Sequence, residues 1–255
     1  MPAPINTFKK ALANGETVIG AWLSLGTVNT TEMMGTTGFD WLLIDGEHTP
    51  YDISNIRNQL MALEASPSHA AVRVPAGETW MIKQVLDVGA QTVLVPMVES
   101  AEQARELVRA MKYPPFGNRG VGYSSTRAAG FGGISDYGQT ADDQTCLLVQ
   151  VENRAGLAAL DEILTIDGID GVFIGPADLS ADLGHMGQLS HPDVMDVILD
   201  ATRRIAAAGK APGILSSNDD VLNAAIDAGA RFVAVSIDAS LLANAARASA
   251  KRWVK

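Results

Sequence analysis

Two carboxylates, Glu152 and Asp178, stand just beyond two successive apolar segments, Cys146–Val151 and Gly171–Ile174. If these segments are neighbouring parallel strands, both side chains lie at the same end of the sheet. Two carboxylates that meet without a lysine or arginine repel, and a hard cation such as Mg²⁺ or Mn²⁺ relieves that repulsion. We therefore interpret the pair as metal ligands. The alternative is that each carboxylate caps the helix that follows it.

Two further side chains at predicted strand ends can carry a positive charge. His48 follows the segment that ends at Ile44, and a histidine there can act as an acid or base near neutral pH. It needs a partner to fix its tautomer, for which Asp45 and Asp87 are both candidates; the alternative is an ordinary surface histidine. Arg73 lies within an apolar run, so we expect either a buried salt bridge or a cation that stabilises an oxyanion.

Other reactive residue types are badly placed for catalysis. No lysine lies at the C-terminal end of a predicted strand, which disfavours a Schiff-base aldolase and leaves a metal-dependent one. Cys146 begins its strand, at the wrong end for a nucleophile. His69, His185 and His191 lack a comparable setting, and we expect them at the surface. No His-x-x-x-His pattern or cysteine cluster indicates zinc.

The segments that position these residues are short apolar runs separated by helical patterns. Runs rich in Val, Ile and Leu without polar alternation are typical of strands buried on both faces of a parallel sheet. An open doubly wound sheet normally carries a glycine fingerprint after its first strand, and none is present, so the pattern predicts one closed (β/α)8 TIM barrel. The eight predicted strands are Val18–Leu25, Trp41–Ile44, Ala70–Val74, Thr92–Pro96, Cys146–Val151, Gly171–Ile174, Ala211–Leu215 and Phe232–Ser236.

Apolar stripes at helical spacing predict the intervening helices. Two copies of Asp-x-Gly-Ala, at Asp87–Ala90 and Asp227–Ala230, predict helix ends with a left-handed glycine. A barrel of this length, 255 residues, is expected to be a single domain spanning 1–255. The most regular predicted helices are Asp52–Leu63, Ala101–Met111, Asp193–Ala207 and Asp219–Ala228.

Three segments lie outside the regular alternation. Ile5–Ala13 and Ser240–Lys251 are predicted as terminal helices, the second packing either on its own barrel or on a neighbouring subunit. The long glycine-rich connection Tyr113–Gln144 is typical of a functional lid or of a disordered segment. We expect it to help set substrate preference together with residues near Leu215.

Composition excludes several classes of partner. A net charge of −10 disfavours binding to nucleic acid, whose phosphates need basic groups. No run of about 18 apolar residues predicts a membrane span. One cysteine and a polar N-terminus without a secretory signal favour a reduced, cytoplasmic protein.

Four strand-end motifs resemble those of the HpcH/HpaI class II aldolases, which belong to the phosphoenolpyruvate/pyruvate barrel superfamily. They occur in the same order as in that family, and the similarity runs from about Phe8 to Ser240. The hydroxypyruvate/pyruvate, 4-hydroxy-2-oxoheptanedioate and 2-dehydro-3-deoxyglucarate aldolases are the most similar groups. The motifs are Ile44-Asp45-Gly46-Glu47-His48, Val95-Pro96-Met97-Val98-Glu99-Ser100, Gln150-Val151-Glu152-Asn153 and Gly175-Pro176-Ala177-Asp178-Leu179-Ser180.

The resemblance implies an aldolase that forms or cleaves a C–C bond between the enolate of pyruvate or hydroxypyruvate and an aldehyde. It implies that Glu152 and Asp178 hold Mg²⁺, Mn²⁺ or Co²⁺. Gln150 and the backbone of Ala177 and Asp178 would hold the 2-oxo acid. Ala177 stands where some relatives have serine, so its contact can only be through the backbone.

The resemblance also implies roles for the remaining polar residues. His48 would act as the base, Asp87 would raise its basicity, and Arg73 would steady the enolate oxygen. A homohexamer built as a trimer of dimers is expected, which favours an exchanged helix at Ser240–Lys251. Two alternatives remain: a citryl-CoA or malyl-CoA type lyase on the same barrel, and a barrel that binds a 2-oxo acid without catalysis.

Overall fold

The computed structural model describes residues 1–254, and the predicted TIM barrel is confirmed. Eight strands close into one barrel in chain order, every neighbouring pair is parallel, and the last strand pairs with the first. The strands are β1 (Val18–Leu23), β2 (Trp41–Asp45), β3 (His69–Arg73), β4 (Thr92–Val95), β5 (Cys146–Val151), β6 (Gly171–Ile174), β7 (Ala211–Leu215) and β8 (Phe232–Ile237).

Helices surround the barrel, and none in the described chain is long and apolar enough to cross a membrane. Gly89 and Gly229, in the two Asp-x-Gly-Ala copies, have φ of 110° and 115°, as predicted for left-handed helix ends. The helices are α1 (Thr7–Ala13), α2 (Val28–Gly35), α3 (Ile53–Ala62), α4 (Thr79–Asp87), α5 (Ala101–Met111), α6 (Tyr137–Gln144), α7 (Arg154–Leu164), α8 (Pro176–Asp182), α9 (Pro192–Ala207), α10 (Asp219–Asp227) and α11 (Asp238–Trp253).

Aromatic rings fill the barrel interior. Trp41 of β2 and Phe232 of β8 are fully buried and meet edge to face, with ring centroids 6.1 Å apart. Glycines leave room for them: a Cβ at Gly20 would lie 2.3 Å from the Trp41 ring, and one at Gly213 would lie 2.2 Å from the Phe232 ring. Phe8 of α1 packs on both rings and covers the N-terminal end of the barrel.

The strand β1 ends two residues earlier than predicted. The amides of Ser24 and Leu25 donate to the carboxylate of Asp238, at 2.8 and 3.2 Å, instead of continuing the ladder. Asp238 is buried at the end of β8 and therefore joins the last strand to the first at the active-site end of the barrel.

The expectation that the connection Tyr113–Gln144 is a lid over the site is wrong within one chain. It follows α5, which runs back from the C-terminal to the N-terminal ends of the strands, and it leads into the start of β5. It also contains structure that the sequence did not indicate, namely two 3-10 turns and α6. Arg119 within it is buried and pairs with Asp87 at 3.2 Å.

Candidate active site

A tight turn at the end of β2 brings Glu47 and His48 to the mouth of the barrel. The amide of Gly46 donates to the carbonyl of Arg73 on β3 at 2.8 Å. A Cβ at Gly46 would lie 2.7 Å from that same oxygen, so a larger residue would push the two strand ends apart. The glycine thus allows the acidic residues on either side of it to converge on Arg73.

Arg73 is held in a fixed orientation by two carboxylates. Its Nε and Nη2 donate to the two oxygens of Asp45 at 2.8 and 2.9 Å, and its Nη1 lies 2.7 Å from Oε2 of Glu47. Burial alone would lower the pKa of Arg73, but the hydrogen bonds and charges of Asp45 and Glu47 outweigh it and raise the pKa. The guanidinium, stacked 5.6 Å from the Trp22 ring, is a permanent and preorganised cation.

Glu152 is buried at the end of β5, and no cationic side chain within residues 1–254 forms a salt bridge with it. Its Oε1 accepts from the amide of Met97 at 2.8 Å, and its Oε2 accepts from the side-chain amide of Gln150. Burial, with the charges of Asp178 and Glu47, raises the pKa of Glu152 against the effect of these hydrogen bonds. Gly175 leaves space for this carboxylate, since a Cβ there would lie 2.5 Å from Oε2.

Asp178 lies in the first turn of the short helix α8, at the exposed mouth of the barrel. Its charge raises the pKa of both Glu152 and Glu47, so Asp178 lies near the acidic groups that follow β5 and β2. This end of the barrel therefore holds four carboxylates, those of Asp45, Glu47, Glu152 and Asp178, and one guanidinium, that of Arg73. This excess of negative charge, together with the unpartnered buried oxygen Oε1 of Gln150, fits a site that takes a divalent cation and an oxygen-rich ligand.

His48 is exposed at the mouth of the barrel, and Glu47 is its nearest acid. His48 Nε2 lies 4.0 Å from Oε2 of Glu47, with the imidazole side chain 66% exposed. The structure does not bring Asp87 to it. Asp87 is the last residue of α4, at the opposite end of the barrel, where it pairs with Arg119. The expected Asp87–His48 contact is therefore absent within a single chain.

Sequence reasoning missed two site residues and misplaced one histidine. Glu47 lies within the Ile44–His48 motif, and its position beside His48 is the sequence signal that indicates it. Met97 has a left-handed backbone, with φ of 54°, that no pattern in the sequence indicates. His69 is not an ordinary surface residue: it stacks on Phe8, bonds to Thr92 at 2.8 Å, and burial lowers its pKa to about 4.

The chain is similar to proteins of one family over nearly its whole length. The model of the HpcH/HpaI aldolase/citrate lyase family matches residues 18–245. The chain belongs to the HpcH/HpaI family. A hydroxypyruvate/pyruvate aldolase from Roseobacter denitrificans is 61% identical, with 99% of each chain covered. A 4-hydroxy-2-oxo-heptane-1,7-dioate aldolase from Shigella sonnei is 50% identical, covering 97% of this chain and 95% of that one.

A solved structure agrees with this assignment. The crystal structure of an HpcH/HpaI aldolase/citrate lyase family protein from Burkholderia cenocepacia superposes with a TM-score of 0.93 at 39% identity. The match covers 97% of this chain and 98% of that one. This HpcH/HpaI family member and its solved relative therefore have the same fold.

Proposed function

We propose that this protein is a divalent-metal-dependent class II aldolase that joins or separates an aldehyde and the enolate of pyruvate or hydroxypyruvate. The observation that carries the proposal is the buried carboxylate of Glu152, whose pKa the charge of Asp178 helps to raise and which forms no salt bridge within residues 1–254. The preorganised guanidinium of Arg73 lies at the same end of the barrel. Relatives named hydroxypyruvate/pyruvate aldolase, 51–61% identical to this chain, support the choice of donor.

In this proposal Glu152 and Asp178 hold Mg²⁺, Mn²⁺ or Co²⁺, which when bound withdraws electrons from the keto group and acidifies the adjacent C–H. Gln150 and the backbone of Ala177 and Asp178 hold the 2-oxo acid. The unpartnered Oε1 of Gln150 is free for this contact. Arg73, held in place by Asp45 and Glu47, stabilises the negative charge that develops on the enolate oxygen. Its electrostatic interaction is therefore strongest in the transition state.

His48 is proposed as the base that removes the proton from the donor and returns it in the reverse direction. Its exposure lets it exchange that proton with water. Glu47 is the carboxylate beside it, with Oε2 4.0 Å from His48 Nε2 and 2.7 Å from Nη1 of Arg73. Asp87 can raise the basicity of His48 only from another copy of the chain, because the two residues lie at opposite ends of one barrel.

We also propose a homo-oligomer, with a hexamer as the expected form, in which α11 packs on a neighbouring copy. Only Asp238, at its start, is buried within the single chain. Leu241, Leu242 and Trp253 are exposed by 47%, 59% and 81%. These side chains supply an apolar face for which the described chain provides no cover.

The test is an assay of the metal-loaded protein with pyruvate and hydroxypyruvate against a panel of aldehydes. We expect C–C bond formation that stops on chelation, is lost in Glu152→Gln, and persists in Glu99→Gln. Glu99 is a matched control because it is an exposed carboxylate near the same end of the barrel, bonded to Asn153. Cleavage of malyl-CoA or citryl-CoA instead supports the lyase alternative, and pyruvate binding without either reaction supports a binding barrel.

A further inference from the structure

The segment between α8 and α9 brings together three side chains that can bind a metal ion. His185 lies in this loop, His191 ends it, and Asp193 lies in the first turn of α9. His185 Nε2 is 3.4 Å from Oδ2 of Asp193, and His191 Nδ1 is 3.9 Å from the same oxygen. One ligand atom of each lies within 4.8 Å of the others, and no other trio in residues 1–254 does so.

We propose that His185, His191 and Asp193 form a second metal site, which takes a borderline transition-metal ion such as Zn²⁺. Two imidazoles and a carboxylate are a donor set that suits Zn²⁺ better than Mg²⁺, which prefers oxygen ligands. Ligand atoms about 2.1 Å from a tetrahedral ion lie about 3.4 Å from one another. The 3.4 Å between His185 Nε2 and Oδ2 of Asp193 matches that spacing, whereas His191 Nδ1, 3.9 Å from the same oxygen, does so only after its ring moves.

The charge at Asp193 also favours a cation. Within residues 1–254 its only ion-pair partners are the two histidines, so no lysine or arginine neutralises it. A neutral imidazole offers a lone pair but no positive charge. A bound ion would supply that charge, and the exposed side of Asp193 leaves room for water as a fourth ligand.

One ring must turn for the ion to bind. The rings of His185 and His191 stack with centroids 3.7 Å apart and planes 19° apart, and nearly parallel planes cannot both contain one ion. His191 is the ring to turn, because its side chain is 32% exposed against 23% for His185; its Nδ1 would give up a long hydrogen bond of 3.3 Å from the amide of Asp193. The loss of one long hydrogen bond is small beside the binding free energy of a structural zinc ion.

The loop that carries the trio lies near the proposed active site, and a bound ion there would affect the stability of the chain. The loop follows α8, which carries Asp178, and Ser190 within it accepts from Asn218 of the next strand-end loop at 3.4 Å. The trio therefore lies at the same end of the barrel as the catalytic residues. An ion there would fasten the end of α8 to the start of α9 and raise the thermal stability of the chain.

The experiment measures Zn²⁺ bound per chain after equilibrium dialysis of the full-length protein. Glu152→Gln removes the carboxylate site, so this variant isolates the trio. We expect it to bind one more Zn²⁺ per chain than the double variant Glu152→Gln/His185→Phe, in which phenylalanine keeps the stack on His191 but offers no ligand. Glu152→Gln/Asp196→Asn is the matched control, because Asp196 is an exposed carboxylate one turn further along α9; it should bind as much as Glu152→Gln.

A second readout identifies the ligands. X-ray absorption at the zinc edge of Glu152→Gln should show imidazole nitrogen ligands that disappear with His185→Phe. Equal Zn²⁺ content in the single and double variants, or zinc bound by oxygen ligands alone, overturns the proposal. The Mg²⁺ affinity of His185→Phe alone should equal that of the original protein, so loss of the zinc site and failure of the proposed aldolase site give separate results.

Discussion

Replacing Arg73 by lysine tests whether the geometry of the guanidinium, and not only its charge, holds the site together. Arg73 makes three contacts with carboxylate oxygens, at 2.8, 2.9 and 2.7 Å, and its side chain is 9% exposed. A lysine keeps the charge but has one ammonium, which cannot reproduce the planar two-point contact with Asp45. At about 1.5–3 kcal/mol for a hydrogen bond to a charged group, losing one or two such bonds costs about 3 kcal/mol.

For a chain of this size each kcal/mol corresponds to about 2–4 °C, so we expect Arg73→Lys to unfold about 6–12 °C lower. We also expect kcat to fall by about 10²–10³-fold, the usual effect of losing a donor at a developing oxyanion. The assays are thermal unfolding by circular dichroism and the rate of proton exchange of pyruvate. Binding of Mg²⁺ should change little, because neither proposed ligand contacts Arg73.

The matched control is Arg154→Lys. Arg154 forms an exposed pair with Asp182 at 3.9 Å, with 63% of its side chain accessible. An exposed pair contributes little, so this variant should stay within about 0.5 kcal/mol of the original protein. Equal shifts of the unfolding temperature in the two variants, or an unchanged kcat in Arg73→Lys, would refute the role assigned to the planar guanidinium of Arg73.

Three further predictions concern backbone, burial and assembly. Met97→Val should weaken Mn²⁺ binding about tenfold in calorimetry, whereas Met97→Gly should preserve it. A β-branched residue resists the left-handed backbone conformation in which the Met97 amide donates to Glu152, and glycine adopts it readily. Between pH 6.5 and 4 the unfolding free energy in urea titrations should fall by about 3 kcal/mol more in the original protein than in His69→Gln. The unfolded chain takes up a proton at His69 in that range and the folded chain does not. Leu242→Glu should lower the oligomer mass in light scattering.

Much of the fold followed from the sequence because buried parallel strands leave a clear apolar pattern. The predicted Cys146–Val151 and Gly171–Ile174 match β5 and β6 residue for residue. The end of β1 did not follow, since it depends on Asp238, a residue more than 200 positions away that takes over its backbone amides. Long-range hydrogen bonds of this kind leave no local signal.

The candidate site was predictable where one rule applied, that functional residues lie at the C-terminal ends of barrel strands. The rule placed Glu152, Asp178 and Arg73 at the same end of the barrel. The same rule disfavours Asp87 as a partner of His48 within one chain, because Asp87 precedes β4 instead of following a strand. The position of Glu47 between Arg73 and His48 depends on side-chain directions that sequence spacing does not fix.

The most direct test of the central claim is exchange of the pyruvate methyl protons with deuterium, followed by proton NMR, in the presence of Mg²⁺. The proposed site predicts rapid exchange by the original protein, none after removal of the metal, and none in Glu152→Gln. Glu99→Gln should exchange at the original rate. Exchange that persists without metal, or that proceeds in Glu152→Gln as fast as in the original protein, would contradict the assignment of Glu152 as a ligand of the catalytic metal.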